Sequence, residues 1–137
     1  MDRIRIMPEG HWDWSMPVSF SQGWKVGNLI FVGGQVPRDE LGHTVGEGDI
    51  EKQTHNVFQN IKSVLKEVGA DFEDIVKLTT FYAHDEDEDP ELFKDKITQV
   101  AMEYLSSPGP AVTEVRIDGF ARDGVFVEIE AIAVVDK

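Results

Sequence analysis

Two periodicities alternate along the chain. Between Ser19 and Gln35 the apolar residues follow strand spacing. Trp24-Lys25-Val26 precedes Gly27-Asn28, and Leu29-Ile30-Phe31-Val32 follows, so a two-residue link between β-prone runs predicts a hairpin. Gly33-Gly34 ends the second run, where missing side chains let another backbone or a ligand come close. Pro37 to Gly48 is polar and glycine-bearing, hence loop. From Asp49, which reads as an N-cap, the period changes to that of a helix. Ile50, Val57, Ile61, Val64, Leu65 and Val68 share one face, and Gly69 is the stop. Ile75 to Ala83, rich in β-branched and aromatic residues, predicts a third strand. Asp89 then caps and Pro90 opens a second helix that turns Phe93, Ile97, Val100, Ala101 and Tyr104 inward. After Ser106-Ser107-Pro108-Gly109-Pro110, the runs Ala111 to Ile117 and Val125 to Val135 read as strands, separated by a turn from Gly119 to Gly124. The order is β-β-α-β-α-β-β. No repeat or linker divides it, so one domain is expected over residues 1–137.

The last strand bears on assembly. Val125, Val127, Ile129, Ala131, Ala133 and Val135 fall on one face, and Phe126, Glu128, Glu130, Ile132 and Val134 on the other. Two helices shield only one side of such a sheet. The mostly apolar second side therefore predicts packing against another copy of the chain.

Composition narrows the function. With 26 acidic and 13 basic residues the net charge is −13, and no basic cluster interrupts it, which argues against nucleic acid as a partner. No apolar run approaches the roughly 20 residues of a membrane span, and Met1 to Met16 lacks the apolar core of a secretory leader. With no cysteine for disulfides, a cytoplasmic location is the simplest expectation.

Few residues offer chemistry. Glu128 and Glu130 stand two apart on the same face of an otherwise apolar strand. One reading is a general acid/base that directs water in a pocket; the other is an edge pair facing solvent or an ion pair. His11, His43, His55 and His84 are scattered without metal-binding spacing, so no metal is expected. The run His84 to Asp89 superficially resembles a calcium loop. Pro90 stands where that loop needs glycine and Lys96 where it needs a bidentate glutamate, so a solvated acidic turn is the better reading. No phosphate-cradling glycine motif and no nucleophile elbow occur. Trp12 and Trp14 read as core or interface packing, with a pocket wall as the alternative.

Several stretches resemble the Rid (reactive intermediate deaminase), or YjgF, family. They are Ser21-Gln22, the run from Val26 to Pro37, Gly48-Asp49-Ile50, Gln53-Thr54, Asn60-Ile61-Lys62, Asp74 to Thr79, and Val127 to Ala133. The resemblance implies an α+β, chorismate-mutase-like fold: a mixed sheet of about five to six strands with two helices on one face, assembled as a barrel-like homotrimer. It also implies small-molecule pockets between subunits, no cofactor, and hydrolysis of imines or enamines, with a glutamate at the position of Glu128 placing water. Phe20, Gly34, Val112 and Thr113 are implied as ligand-binding. Catalytic members hold the substrate carboxylate with an arginine in a P-A-R-[ST] stretch. Here that stretch is Pro110-Ala111-Val112-Thr113, and an aliphatic side chain cannot supply the cationic fork. Phe20 likewise stands where many members have tyrosine. The chain thus resembles subgroups that lack the arginine. Two functions remain open: a deaminase-like hydrolase of a small imine, enamine or amide that is not a standard 2-aminoacrylate deaminase, and a non-catalytic ligand-binding or regulatory trimer. The older family labels, endoribonuclease and translation inhibitor, fit the acidic charge poorly. Arg116 and Arg122 are the cations that could stand in for the missing one.

Overall fold

The computed structural model describes residues 1–84 and 86–136. Its first element, β1 (Arg3–Ile6), is one that the apolar pattern does not announce. Only Ile6 of the four is buried, and the exposed Arg3 and Arg5 make the segment read as a charged tail. It pairs antiparallel with β2 (Gly23–Val26), at the sheet edge where charged strands resist further pairing. β2 joins β3 (Leu29–Gln35) through Gly27-Asn28. Gly27 has φ of 61°, a left-handed value that suits glycine at the first position of such a link.

Asp49 caps α1 (Ile50–Lys66), its Oδ1 accepting the Lys52 amide at 3.1 Å. β4 (Ile75–Tyr82) leads to α2 (Pro90–Ala101), where Asp89 Oδ1 accepts the Glu91 amide at 2.8 Å. β5 (Ala111–Arg116) and β6 (Val127–Val134) complete one six-stranded sheet of order β1-β2-β3-β6-β4-β5. Only β4 and β5 run parallel, because α2 carries the chain back across the sheet between them. β6 sits between β3 and β4, with backbone partners on both sides.

Both helices lie on one face. Val57, Phe58, Ile61, Val64 and Leu65 of α1 join Phe93 and Ile97 of α2 over Ile30, Val32, Leu78, Ile129, Ala131 and Ala133. The parity read for the last strand holds: its six core-side residues are all buried, whereas Phe126, Glu128, Ile132 and Val134 are half-buried and Glu130 exposed. On that uncovered face Trp24, Leu29 and Phe31 keep 39%, 40% and 42% of their surface in solvent. Among the described residues no helix is long and apolar enough to cross a membrane.

Two local features shape the site. The first is a bulge. Val32 pairs with Ala131 and Gln35 with Ile129, so three steps along β3 match two along β6, and Gly33-Gly34 absorb the extra residue. Consequently Val32 and Gln35 are both buried, although regular alternation would put them on opposite faces. The second is a buried amide cluster that ties the N-terminal segment to the sheet. Gln35 Oε1 accepts from Trp12 Nε1 at 2.9 Å and lies 2.8 Å from His11 Nε2. Gln35 Nε2 donates to Gln22 Oε1 at 2.9 Å and to the Gly33 carbonyl at 3.1 Å, and Gln22 Nε2 donates to the Trp12 carbonyl at 3.0 Å. An indole N–H can only donate, which fixes Gln35 Oε1 as acceptor and places the His11 proton on Nε2. Burial holds the His11 imidazole below its usual range, the Gln35 hydrogen bond acting in the opposite sense.

Candidate functional site

Glu128 enters the uncovered face from the N-terminal end of β6, in register with Phe81 of β4 and across the bulge from Gly34. A methyl group on residue 34 would overlap the Glu128 carboxylate, so the glycine is what lets this side chain lie against the backbone. Burial raises the Glu128 carboxyl above the usual carboxylate range and Glu130 raises it further, whereas Arg38 pulls it down. The carboxylate borders a recess of about 120 Å³ that is also lined by Val36, Pro37, Arg38, Phe120 and Arg122.

The two arginines come from different loops. Arg38 follows β3, and its guanidinium lies 5.3 Å from the centre of the Trp12 ring. Burial draws Arg38 below the usual guanidinium range, the positive charge of Arg122 adds to this, and Glu128 opposes it. Arg122 stands in the β5–β6 connection, where its Nη1 donates to the Gly42 carbonyl at 2.7 Å. Among the described residues neither guanidinium reaches Glu128 within the 4.0 Å of an ion pair.

Of the residues expected at the site, one chain brings together Glu128 and Gly34 only. Val112 pairs with Leu78 in register and, with Leu78, Ile97 and Ile129, lines an apolar recess of about 240 Å³ on the helix side of the sheet. Thr113 points the other way, accepting a hydrogen bond from Lys77 Nζ at 2.7 Å. Phe20 is exposed and meets Trp14 edge-on at 5.5 Å, and Trp14 in turn meets Trp12 at 5.0 Å. Trp12 is therefore core and Trp14 links it to Phe20, while Trp24 stays on the uncovered face. Glu130 borders a separate groove of about 340 Å³ with Phe31, Lys77, Thr79 and Ile132, so the two glutamates serve different recesses.

Among the cations suspected from sequence, Arg122 lines the Glu128 recess and the exposed Arg116 does not. Arg38 escapes a reading of the sequence, because a lone arginine in a polar loop carries no pattern and its position depends on the bulge and on Trp12. No group of three or more His, Asp or Glu suited to a metal ion occurs among the described residues. In the acidic run, Asp89 caps α2 and Glu88 lies 3.6 Å from Lys96, as a solvated turn would; Asp85 falls outside the described residues.

The family profile described as Endoribonuclease L-PSP matches residues 15–135. A RutC family protein of Pyrococcus abyssi is 40% identical over 114 residues, which cover 83% of this chain and 84% of that one. A protein of Dermatophagoides farinae named 2-iminobutanoate/2-iminopropanoate deaminase is 29% identical over 119 residues, 85% of this chain and 86% of its own. Among solved structures, a conserved Rid family protein of unknown function, YyfA of Yersinia pestis, superposes with a TM-score of 0.83 at 28% identity, covering 98% of this chain and 100% of the other.

Proposed function

Since the chain belongs to the Endoribonuclease L-PSP family, the Rid/YjgF group, we propose that it is a homotrimer with small-molecule pockets at Glu128 that hydrolyses a small imine, enamine or amide without a cofactor. The observation that carries this reading is the Glu128 carboxylate, half-buried against Gly34 beside a recess, where burial raises its proton affinity above that of an ordinary carboxylate. A group so tuned can take a proton from water as it adds to a C=N carbon. It can then return that proton to the nitrogen to give the carbinolamine, and relay the carbinolamine's hydroxyl proton to the nitrogen as the C–N bond breaks, leaving a carbonyl compound and ammonia. The relative named as an iminobutanoate/iminopropanoate deaminase supports this reaction type. Val112 withholds the fork that standard 2-aminoacrylate deaminases place at that position, so this is not proposed as a standard member. Ribonuclease activity is disfavoured by the charge of −13 and the lack of a basic stripe. Ammonia release from imines generated in situ tests the proposal; a protein that binds such compounds without releasing ammonia would instead be a binding trimer.

The trimer rests on the uncovered sheet face. Trp24 pairs with Phe31 and Phe31 with Ile132, which makes a continuous apolar row across β2, β3 and β6. Three such faces packed together would remove it from water. Light scattering is expected to give three times the 15.4 kDa protomer mass. Phe31→Glu or Ile132→Glu is expected to dissociate the assembly, because each would desolvate an unpaired charge. A wild-type monomer at micromolar concentration defeats this part of the proposal.

A further inference from the structure

We infer that the apolar recess on the helix side of the sheet is a second ligand site, and that it takes a small neutral molecule, largely hydrocarbon, with one hydrogen-bonding group. The inference does not rest on the Glu128 reading, because the Glu128 recess opens on the other face. The volume is about 240 Å³. It runs from Met102 and Val112, both exposed, down to Phe58 and Ile129, which keep 0% and 1% of their surface in solvent. Leu78 and Ile97 complete the apolar walls. A cavity of about 150 Å³ with such walls stays dry and takes benzene, so a six-membered ring bearing a few more atoms fits here.

One polar group distinguishes this recess from a gap in packing. Thr80 shares the core side of β4 with Leu78 and Tyr82 and is only 6% exposed. The hydroxyls of Thr54, Thr79, Thr98 and Thr113 are all engaged within the chain, whereas that of Thr80 makes no hydrogen bond to any described residue. No described side-chain oxygen is both sealed from solvent and unpaired, so the Thr80 hydroxyl opens into the recess it lines. Water serves it poorly, because an ordered water needs about two to four polar partners and the other polar side chains of the lining are engaged. Thr98 Oγ1 donates to the Lys94 carbonyl at 3.2 Å, and Glu114 lies 3.8 Å from Lys94 Nζ. With those two charges matched, an ion entering the recess would lose its hydration and gain no partner. A pure hydrocarbon would bury the Thr80 hydroxyl unpaired. A neutral molecule with a single donor or acceptor avoids both costs.

Cyclohexanone and methylenecyclohexane share a shape and differ by a carbonyl oxygen against a CH₂ group. Titrating the protein with each, while following the Ile97 and Ile129 methyl resonances, tests the site. Both compounds are expected to shift these signals saturably, and cyclohexylammonium is not. Thr80→Val keeps the bulk and removes the hydroxyl. It is expected to weaken cyclohexanone but not the hydrocarbon, changing the ratio of the two affinities by about three- to tenfold, the scale of one neutral hydrogen bond. Thr80→Ser should hold the wild-type ratio. Ala101→Leu fills the recess from α2 and should abolish binding of both compounds. Either variant decides the matter if the other fails to fold. No saturable shift at these methyls, an affinity ratio that Thr80→Val leaves unchanged, undiminished binding to Ala101→Leu, or tighter binding of cyclohexylammonium than of the ketone would overturn the inference. Ammonia release plays no part in the readout, so this site and the hydrolase reading stand or fall separately.

Discussion

Replacing Glu128 with glutamine is expected to lower turnover of any imine the protein hydrolyses by about 10²- to 10⁴-fold, the range that a positioned general acid/base supplies. The amide keeps the shape that fits against Gly34 but cannot shuttle a proton. Stability should respond in the opposite direction. Burial, and then Glu130, raise the folded-state affinity of Glu128 for its proton above that of an exposed glutamate. Between the ordinary carboxylate range and the raised value the folded chain binds more protons than the unfolded one, so this group's contribution falls as pH rises through that window. Glutamine has no such dependence. The variant should melt at the same temperature as wild type or higher at pH 7, and the difference should close as pH falls below the usual glutamate range. Ammonia release, with melting curves at both pH values, checks both halves. Unchanged turnover of a verified substrate, or loss of the proposed assembly in the variant, would reassign Glu128 to a structural role.

The largest loss of stability is expected from Gln35→Leu. The leucine has similar bulk but removes the acceptor shared by Trp12 and His11 and the donor that serves Gln22 and the Gly33 carbonyl. Each buried polar group left unsatisfied costs about 1–3 kcal/mol, so a total on the order of 3–5 kcal/mol is expected. Denaturant midpoints taken at one fixed protomer concentration measure it. A loss below about 1 kcal/mol would mean that the cluster is reached by water. The same variant should release Trp12 from beneath Arg38, which links the N-terminal segment to the recess.

The regular elements were legible because burial imposes period: both helices start at their acidic caps, and the parity of the last strand separates Glu128 from the valines. What could not be read there depends on contacts between distant segments. β1 exposes three of its four residues and borrows its structure from β2. Gln22 and Gln35, polar residues within apolar strands, signal a buried partner without saying which one; Trp12 answers from 23 residues before Gln35. Val112 was expected beside Glu128. In a single chain they line recesses on opposite sides of the sheet, and the pairing expected between subunits is not one that a single copy can display.

The extra residue at Gly33-Gly34 acts like a shift of reading frame. Upstream of it β3 turns alternate residues to the core in one phase; downstream the phase is inverted, and that inversion sends Gln35 inward and starts the loop that carries Arg38. Deleting either glycine would restore uninterrupted alternation and leave Gln35 facing inward opposite Ile129, whereas replacing Gly34 at unchanged length would keep the bulge but close the clearance for Glu128. At this point of the chain the strand tolerates the loss of a residue better than the gain of a side chain. Attempts to rigidify the strand by substituting Gly34 would displace the carboxylate they were meant to preserve.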